Sequence, residues 1–90
     1  MEITEVRVSV RNEDRLKAYV TVTFDNCFVV RHIRVVKTEN GFLVSMPSRK
    51  LADGTHKDIA HPISREFRKK LEDRILAAYE EELRSLPKIT

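Results

Sequence analysis

One cysteine, two glycines, three prolines and no tryptophan occur among the 90 residues. The single thiol, Cys27, excludes an internal disulfide and any cysteine-rich zinc site. With it, a reducing, cytoplasmic setting is the default expectation. Gly41 and Gly54 stand too far apart in sequence for a glycine-rich phosphate loop. So few Gly and Pro residues also exclude a low-complexity or disordered chain. No apolar run approaches the ~18–20 residues that a membrane helix needs, so no membrane partner is expected. The opening MEITEVRVSV alternates and carries charge, which reads as a strand and not as a secretory signal.

What is present fits one folded domain over residues 1–90. Hydrophobic residues make up 41% of the chain, enough for a core but a limited one. A homodimer that shares core between subunits is therefore expected. Seventeen Lys and Arg against fourteen Asp and Glu leave a formal charge of +3 and a pI near 9.2. An excess of this size permits a polyanionic partner, and the position of the charges decides.

The first half reads as strands. Val6, Val8 and Val10 alternate with Arg7, Ser9 and Arg11 over residues 2–11. Ala18, Val20, Val22 and Phe24 alternate with polar residues over 17–24. Asp25-Asn26 is a short turn, and CFVVRHIRVV, residues 27–36, is a third strand with apolar residues on both faces. Two apolar faces predict a central strand, or one covered by a helix or a second subunit. Asn40-Gly41 is a hairpin turn, and a fourth strand returns over Phe42–Met46. A short strand is expected near Lys57–Ala60. The last third reads as one helix over about 64–85. Ser64 is the N-cap, and Phe67, Leu71, Ile75, Ala78 and Leu83 form the stripe, widened by Leu76 and Tyr79. Pro87 ends it. The predicted class is α+β: an antiparallel sheet of four to five strands, then one long helix.

Catalytic chemistry finds little support. His56, Asp58 and His61 carry metal-ligand types, but their spacing matches no established site, and a polar loop is the simpler reading. No metal or other cofactor is expected. Cys27 reads as a partly buried structural thiol, and the serines sit in no nucleophile pattern. Neither an enzyme nor a small-molecule substrate is expected. Phe24, Phe28, Phe42 and Phe67 sit in apolar phase and are assigned to the core. Tyr19 alone falls on a polar strand face, a weak stacking signal.

The basic residues carry more. One group is Arg49, Lys50 and Lys57, in the segment after the fourth strand. A second is Arg65, Arg68, Lys69, Lys70 and Arg74, in the first helical turns. The acidic run Glu80-Glu81-Glu82 lies at the far end of the same helix. This polarity opposes the helix dipole, which favours anions at the N-terminus. An external anion near the helix start would explain it. The alternative is a solvated face laced by pairs such as Arg68–Glu72 and Lys69–Asp73.

The segment GFLVSMPSRKLADGTHKDIAHPI, residues 41–63, resembles the SpoVG family. The pattern is Met46-Pro47-Ser48-Arg49-Lys50, then Asp53-Gly54, then Asp58-Ile59-Ala60-His61-Pro62-Ile63. MEITEVRV and FVVRHIRVV resemble it too, and the likeness extends over roughly residues 1–80. It implies a small α+β domain that dimerises through its sheet and binds DNA, in some members RNA. It further implies a regulator of gene expression that influences sporulation, septum formation and cell division. The family's basic positions fall here on Arg49, Lys50, Lys57, Arg68 and Lys70; Arg65, Lys69 and Arg74 extend that patch. Leu51-Ala52 replaces the Thr-Pro common before Asp-Gly, and Ser64-Arg65-Glu66-Phe67 is bulkier than the family's helix start. The target sequence therefore does not carry over. The rival reading is a protein–protein module of cell division in which the basic groups are only a solvated rim.

Overall fold

In the computed structural model, residues 1–85 are described. Six strands precede one helix: β1 (Ile3–Val10), β2 (Leu16–Phe24), β3 (Phe28–Thr38), β4 (Gly41–Ser45), β5 (Ser48–Lys50), β6 (His56–Asp58) and α1 (Arg65–Ser85). β1 to β4 form an antiparallel meander in sequence order, while β5 and β6 pair only with each other as a second small sheet. The expected α+β class is what the chain adopts. The fifth strand, however, does not extend the main sheet. Pro47 offers no N–H to continue the ladder, and the chain leaves β4 there to build a separate hairpin.

The turns follow from residues that accept positive φ. Asp25 and Asn26 sit at φ 50° and 54°, and the Cys27 N–H donates to the Phe24 carbonyl at 3.0 Å. Two successive left-handed residues give the turn twist that matches β-strands. Gly41 follows Asn40 at φ 119° and closes the β3–β4 hairpin.

The double apolarity of β3 has a structural cause. Val22 pairs with Val30, but Val20 pairs with Ile33, so Arg31 and His32 together stand opposite Thr21. This is a β-bulge, and His32 takes φ 64° to make it. The extra residue shifts the phase of alternation. Val30 before the bulge and Ile33 and Val35 after it therefore share the helix-facing side.

That side is the core. Ala18, Val20, Val22, Ile33 and Val35 are buried under Leu71, Ile75 and Tyr79 of α1, with Ile3, Phe24, Val44 and Met46 around them. Val6, Val8, Phe67 and Leu76 pack against this cluster partly buried. The Phe24 and Phe67 rings lie 5.9 Å apart, and those of Phe42 and Tyr79 5.5 Å apart, both tilted. Burial alone pushes the Tyr79 phenol above its usual value. Among the described residues the opposite face of the main sheet carries no helix.

Several expectations need correction. Cys27 is exposed, because it falls in the turn and not in β3. Phe28 is 63% exposed and Phe42 49% exposed, so neither is a full core residue. Phe28 lies at the rim beside the β2–β3 turn, beyond the helix's cover. Leu83 is also exposed, while Glu82 and Ser85 of the same last turns lie beside Val6 and Val8 of β1. β3 starts one residue later than read and runs on to Thr38. β4 is Gly41–Ser45, and the short sixth strand is His56–Asp58 instead of 57–60. Ser64 caps α1 as expected, its Oγ accepting the Phe67 N–H at 3.1 Å. Pro87 lies outside the described residues.

Candidate nucleic-acid interface

The eight basic candidates stand on two elements, the β5–β6 hairpin and the first turns of α1. The two groups differ in kind.

Arg49, Lys50 and Lys57 stand on the β5–β6 hairpin, all exposed. The register sets Arg49 directly opposite Lys57 and Lys50 opposite His56. The hairpin is held by its loop. The Leu51 N–H donates to the Thr55 carbonyl at 2.7 Å, and the Gly54 N–H to the Leu51 carbonyl at 3.0 Å. An Asp53 carboxylate oxygen accepts from the Thr55 hydroxyl at 2.7 Å and from its N–H at 3.0 Å. Those bonds, the hydroxyl's first, hold the Asp53 carboxyl below its usual range. Asp53 is thus occupied within the loop. Among the described residues no ion pair engages Arg49, Lys50 or Lys57. Like charges directly opposite on paired strands destabilise the pairing. A hairpin arranged only for its own stability would set opposite charges there.

The helical group is dispersed. Successive residues turn about 100° around a helix axis, so five cations in ten residues cannot share one face. Arg68 flanks the core stripe on one side, half-buried, with Glu72 at 3.9 Å. Lys69 points outward and donates to Asp73 at 2.8 Å, a bond that raises its pKa. Arg65 is exposed at the first position of α1. Lys70 and Arg74 lie on the other flank, around a shallow depression with Glu2, Ile3 and Asp73. Both expected i,i+4 pairs therefore form, in the Arg/Lys-then-acid order that is the weaker orientation on a helix. Glu66 in the first turn and Arg84 in the last partly relieve the dipole mismatch.

An apolar groove of about 340 Å³ opens between the β2–β3 turn and the helix start, lined mainly by Phe24, Phe28, Val30, Met46, Ile63 and Phe67. At its mouth Ile63 is 95% exposed. His61 borders the same groove, whereas His56 and Asp58 stand on the hairpin. Among the described residues no three such ligands converge on a metal-sized site.

These features define a small α+β domain: a meander sheet backed by one helix, with a separate basic hairpin. The chain belongs to the SpoVG family, whose sequence profile matches residues 1–81. A relative from Bdellovibrio bacteriovorus, named "Putative septation protein SpoVG", is 55% identical over 86 residues, covering 96% of this chain and 80% of that protein. A protein of the same name from Anaeromyxobacter is 55% identical over 84 residues, covering 93% and 87%. One from Caldicellulosiruptor saccharolyticus is 48% identical over 81 residues, covering 89% and 92%.

Proposed function

We propose that this chain is a nucleic-acid-binding regulatory protein of the cytoplasm, a homodimer that contacts DNA first and RNA second and catalyses no reaction. The observation that carries the reading is the Arg49–Lys57 pair. Two cations are held opposite each other on a hairpin too short to absorb the repulsion, and an external polyanion removes it. Lys50 adds a cation on the opposite face of the hairpin, beside His56. Arg65, Arg68, Lys69, Lys70 and Arg74 supply a second, weaker contribution from the helix start, because two of them are engaged by their own carboxylates. Contacts of this kind go to phosphates and position the nucleic acid without reading its sequence. A dimer repeats the hairpin at a fixed spacing, which sets the length of nucleic acid engaged. Exposed Phe42 and Leu43 on the edge strand β4 favour a second copy there. The name carried by the relatives supports septum formation as a process so regulated.

The test is fluorescence anisotropy with short duplex DNA and single-stranded RNA across a salt series, with sedimentation equilibrium on the same samples. Wild type runs beside a variant carrying Arg49→Ala, Lys50→Ala, Arg68→Ala and Lys70→Ala. The expected result is a dimer that binds with a log–log salt slope of about −0.9 per phosphate contacted on duplex DNA, and a variant that loses most of its affinity. A folded dimer that binds neither probe at low salt overturns the reading in favour of a protein-binding module. A monomer that binds overturns the fixed-spacing mechanism.

A further inference from the structure

The uncovered face of the main sheet meets the basic hairpin in a second cleft, distinct from the apolar groove. Seven residues line it: Tyr19, His32, Arg34, Pro47, Ser48, His56 and Ile59. They come from β2, β3, β5, β6 and the segments flanking the hairpin. Register explains the arrangement. Tyr19 pairs with Arg34, and both point away from the helix because Ala18, Val20, Ile33 and Val35 point toward it. The bulge brings in His32, which a regular strand would place elsewhere. A non-glycine residue held at positive φ is strained, and such strain clusters at functional sites. The Ile59 N–H donates to the Pro47 carbonyl at 2.7 Å, which ties the hairpin's two ends together at the cleft wall.

The lining has a definite chemistry. It offers an aromatic ring 38% exposed, a guanidinium, two imidazoles, a hydroxyl and two flat apolar walls. None of the seven is a carboxylate, although Asp58 stands on the same hairpin face, opposite Ser48. Among the described residues no ion pair engages Arg34, His32 or His56. The Arg11 guanidinium lies over the Tyr19 ring, 5.4 Å from its centre, and covers one face of it, so a ligand ring takes the other face or displaces Arg11. The volume, about 250 Å³, lies below the ~300–1,000 Å³ of pockets for drug-sized ligands. A free inorganic anion would use Arg34 and leave Tyr19, Pro47 and Ile59 without a role. A purely apolar ligand would leave the cation and the imidazoles without one. A ligand that is both a planar ring and an anion uses them all.

We infer that this cleft binds one unstacked nucleotide of a single strand, its base against Tyr19 and its phosphate at Arg34. A base within a duplex is stacked on both faces and cannot enter. The cleft therefore gives the protein a way to prefer single-stranded or locally opened nucleic acid over duplex. This deepens the nucleic-acid reading and rests on it for the biological ligand, but the site is testable by itself.

Nitrogen-15 amide spectra of the wild-type protein are recorded while nucleoside 5′-monophosphates, and separately inorganic phosphate, are added. The expected result is a set of shifts at Tyr19, His32, Arg34, Ser48 and His56 with the nucleotides, and smaller ones with phosphate. Equal shifts with both, or shifts confined to α1, overturn the inference. In the second arm, Tyr19→Ala weakens single-stranded RNA binding by about five- to 150-fold, matching a base stack of ~1–3 kcal/mol, and leaves duplex DNA binding unchanged. Tyr19→Phe keeps the ring and retains the RNA affinity. Unchanged RNA binding in a folded Tyr19→Ala protein overturns the inference. The two proposals fail separately. Cleft shifts in a protein that binds no duplex and no RNA sink the regulatory reading alone. Duplex binding lost in the basic-patch variant, with a cleft silent to nucleotides, sinks the cleft alone.

Discussion

Replacing Lys57 by glutamate should stabilise the hairpin and weaken nucleic-acid binding at the same time. Arg49 and Lys57 are direct cross-strand partners. A pair of this kind is worth roughly 0.2–1 kcal/mol, favourable or unfavourable by sign. Lys57→Glu removes a repulsion and adds an attraction, so the hairpin gains about 0.4–2 kcal/mol. Both side chains are exposed, and screening by water and salt favours the lower half of that range. Hydrogen exchange at the Leu51 amide, bonded to Thr55 across the loop, reads this directly. It should slow by about two- to 30-fold if hairpin opening governs it. Binding moves the other way. The substitution removes one phosphate contact and diverts Arg49 to the new carboxylate. The log–log salt slope on duplex DNA should become shallower by about 0.9 to 1.8 per protomer. Slower exchange with an unchanged slope would mean that the hairpin cations face no polyanion. Unchanged exchange would refute the repulsion on which the functional reading stands.

Three further outcomes are expected. Ile75→Ala empties a fully buried position between helix and sheet, and denaturant unfolding should show a loss of about 2–5 kcal/mol. Ser64→Ala removes the cap on the Phe67 N–H and should cost about 0.5–2 kcal/mol in the same assay, with fraying confined to the first turn of α1. Asp53 has its carboxyl pKa depressed by the Thr55 bonds, so its contribution is full above the ordinary value of 3.8 and is lost as pH falls through the lower folded value. Proton exchange and shifts at Thr55 should accordingly report loop loosening only in strong acid, and Asp53→Asn should abolish that pH dependence.

The meander was legible because its punctuation is local. Asp25-Asn26 and Asn40-Gly41 are turn pairs on chemistry alone, as is Asp53-Gly54 in the separate hairpin, and Val6-Val8-Val10 and Ala18-Val20-Val22 keep a clean period of two. The cap at Ser64 and the pairs Arg68–Glu72 and Lys69–Asp73 follow from spacing within one helix. The bulge at His32 was not legible. It adds one residue without any glycine to mark it and shifts the alternation of β3, which is central in the sheet as expected and keeps Val29 and Val36 on the uncovered face. Phe28 and Phe42 were misassigned for a related reason: alternation tells which side a ring takes, not whether the helix reaches far enough to cover it. The site shows the same division. Lysines and arginines are visible as types, but cross-strand register alone sets Arg49 against Lys57, and only the meeting of two sheets puts Tyr19 beside His56.

The helix that closes the core packs against β1, the first element, and is the last to follow in the chain. Every strand of the meander pairs with the strand just before it, so the sheet can assemble hairpin by hairpin as the chain leaves a ribosome. Its Val20, Val22, Ile33 and Val35 face nevertheless stays bare until Leu71, Ile75 and Tyr79 have been made. For the interval in which residues 46–79 are being added, at roughly 5–20 residues per second, a nascent chain of this protein displays a greasy sheet for about two to seven seconds. A cell making it quickly must shield that surface, and a message truncated within the helix yields a product fit mainly for aggregation or proteolysis.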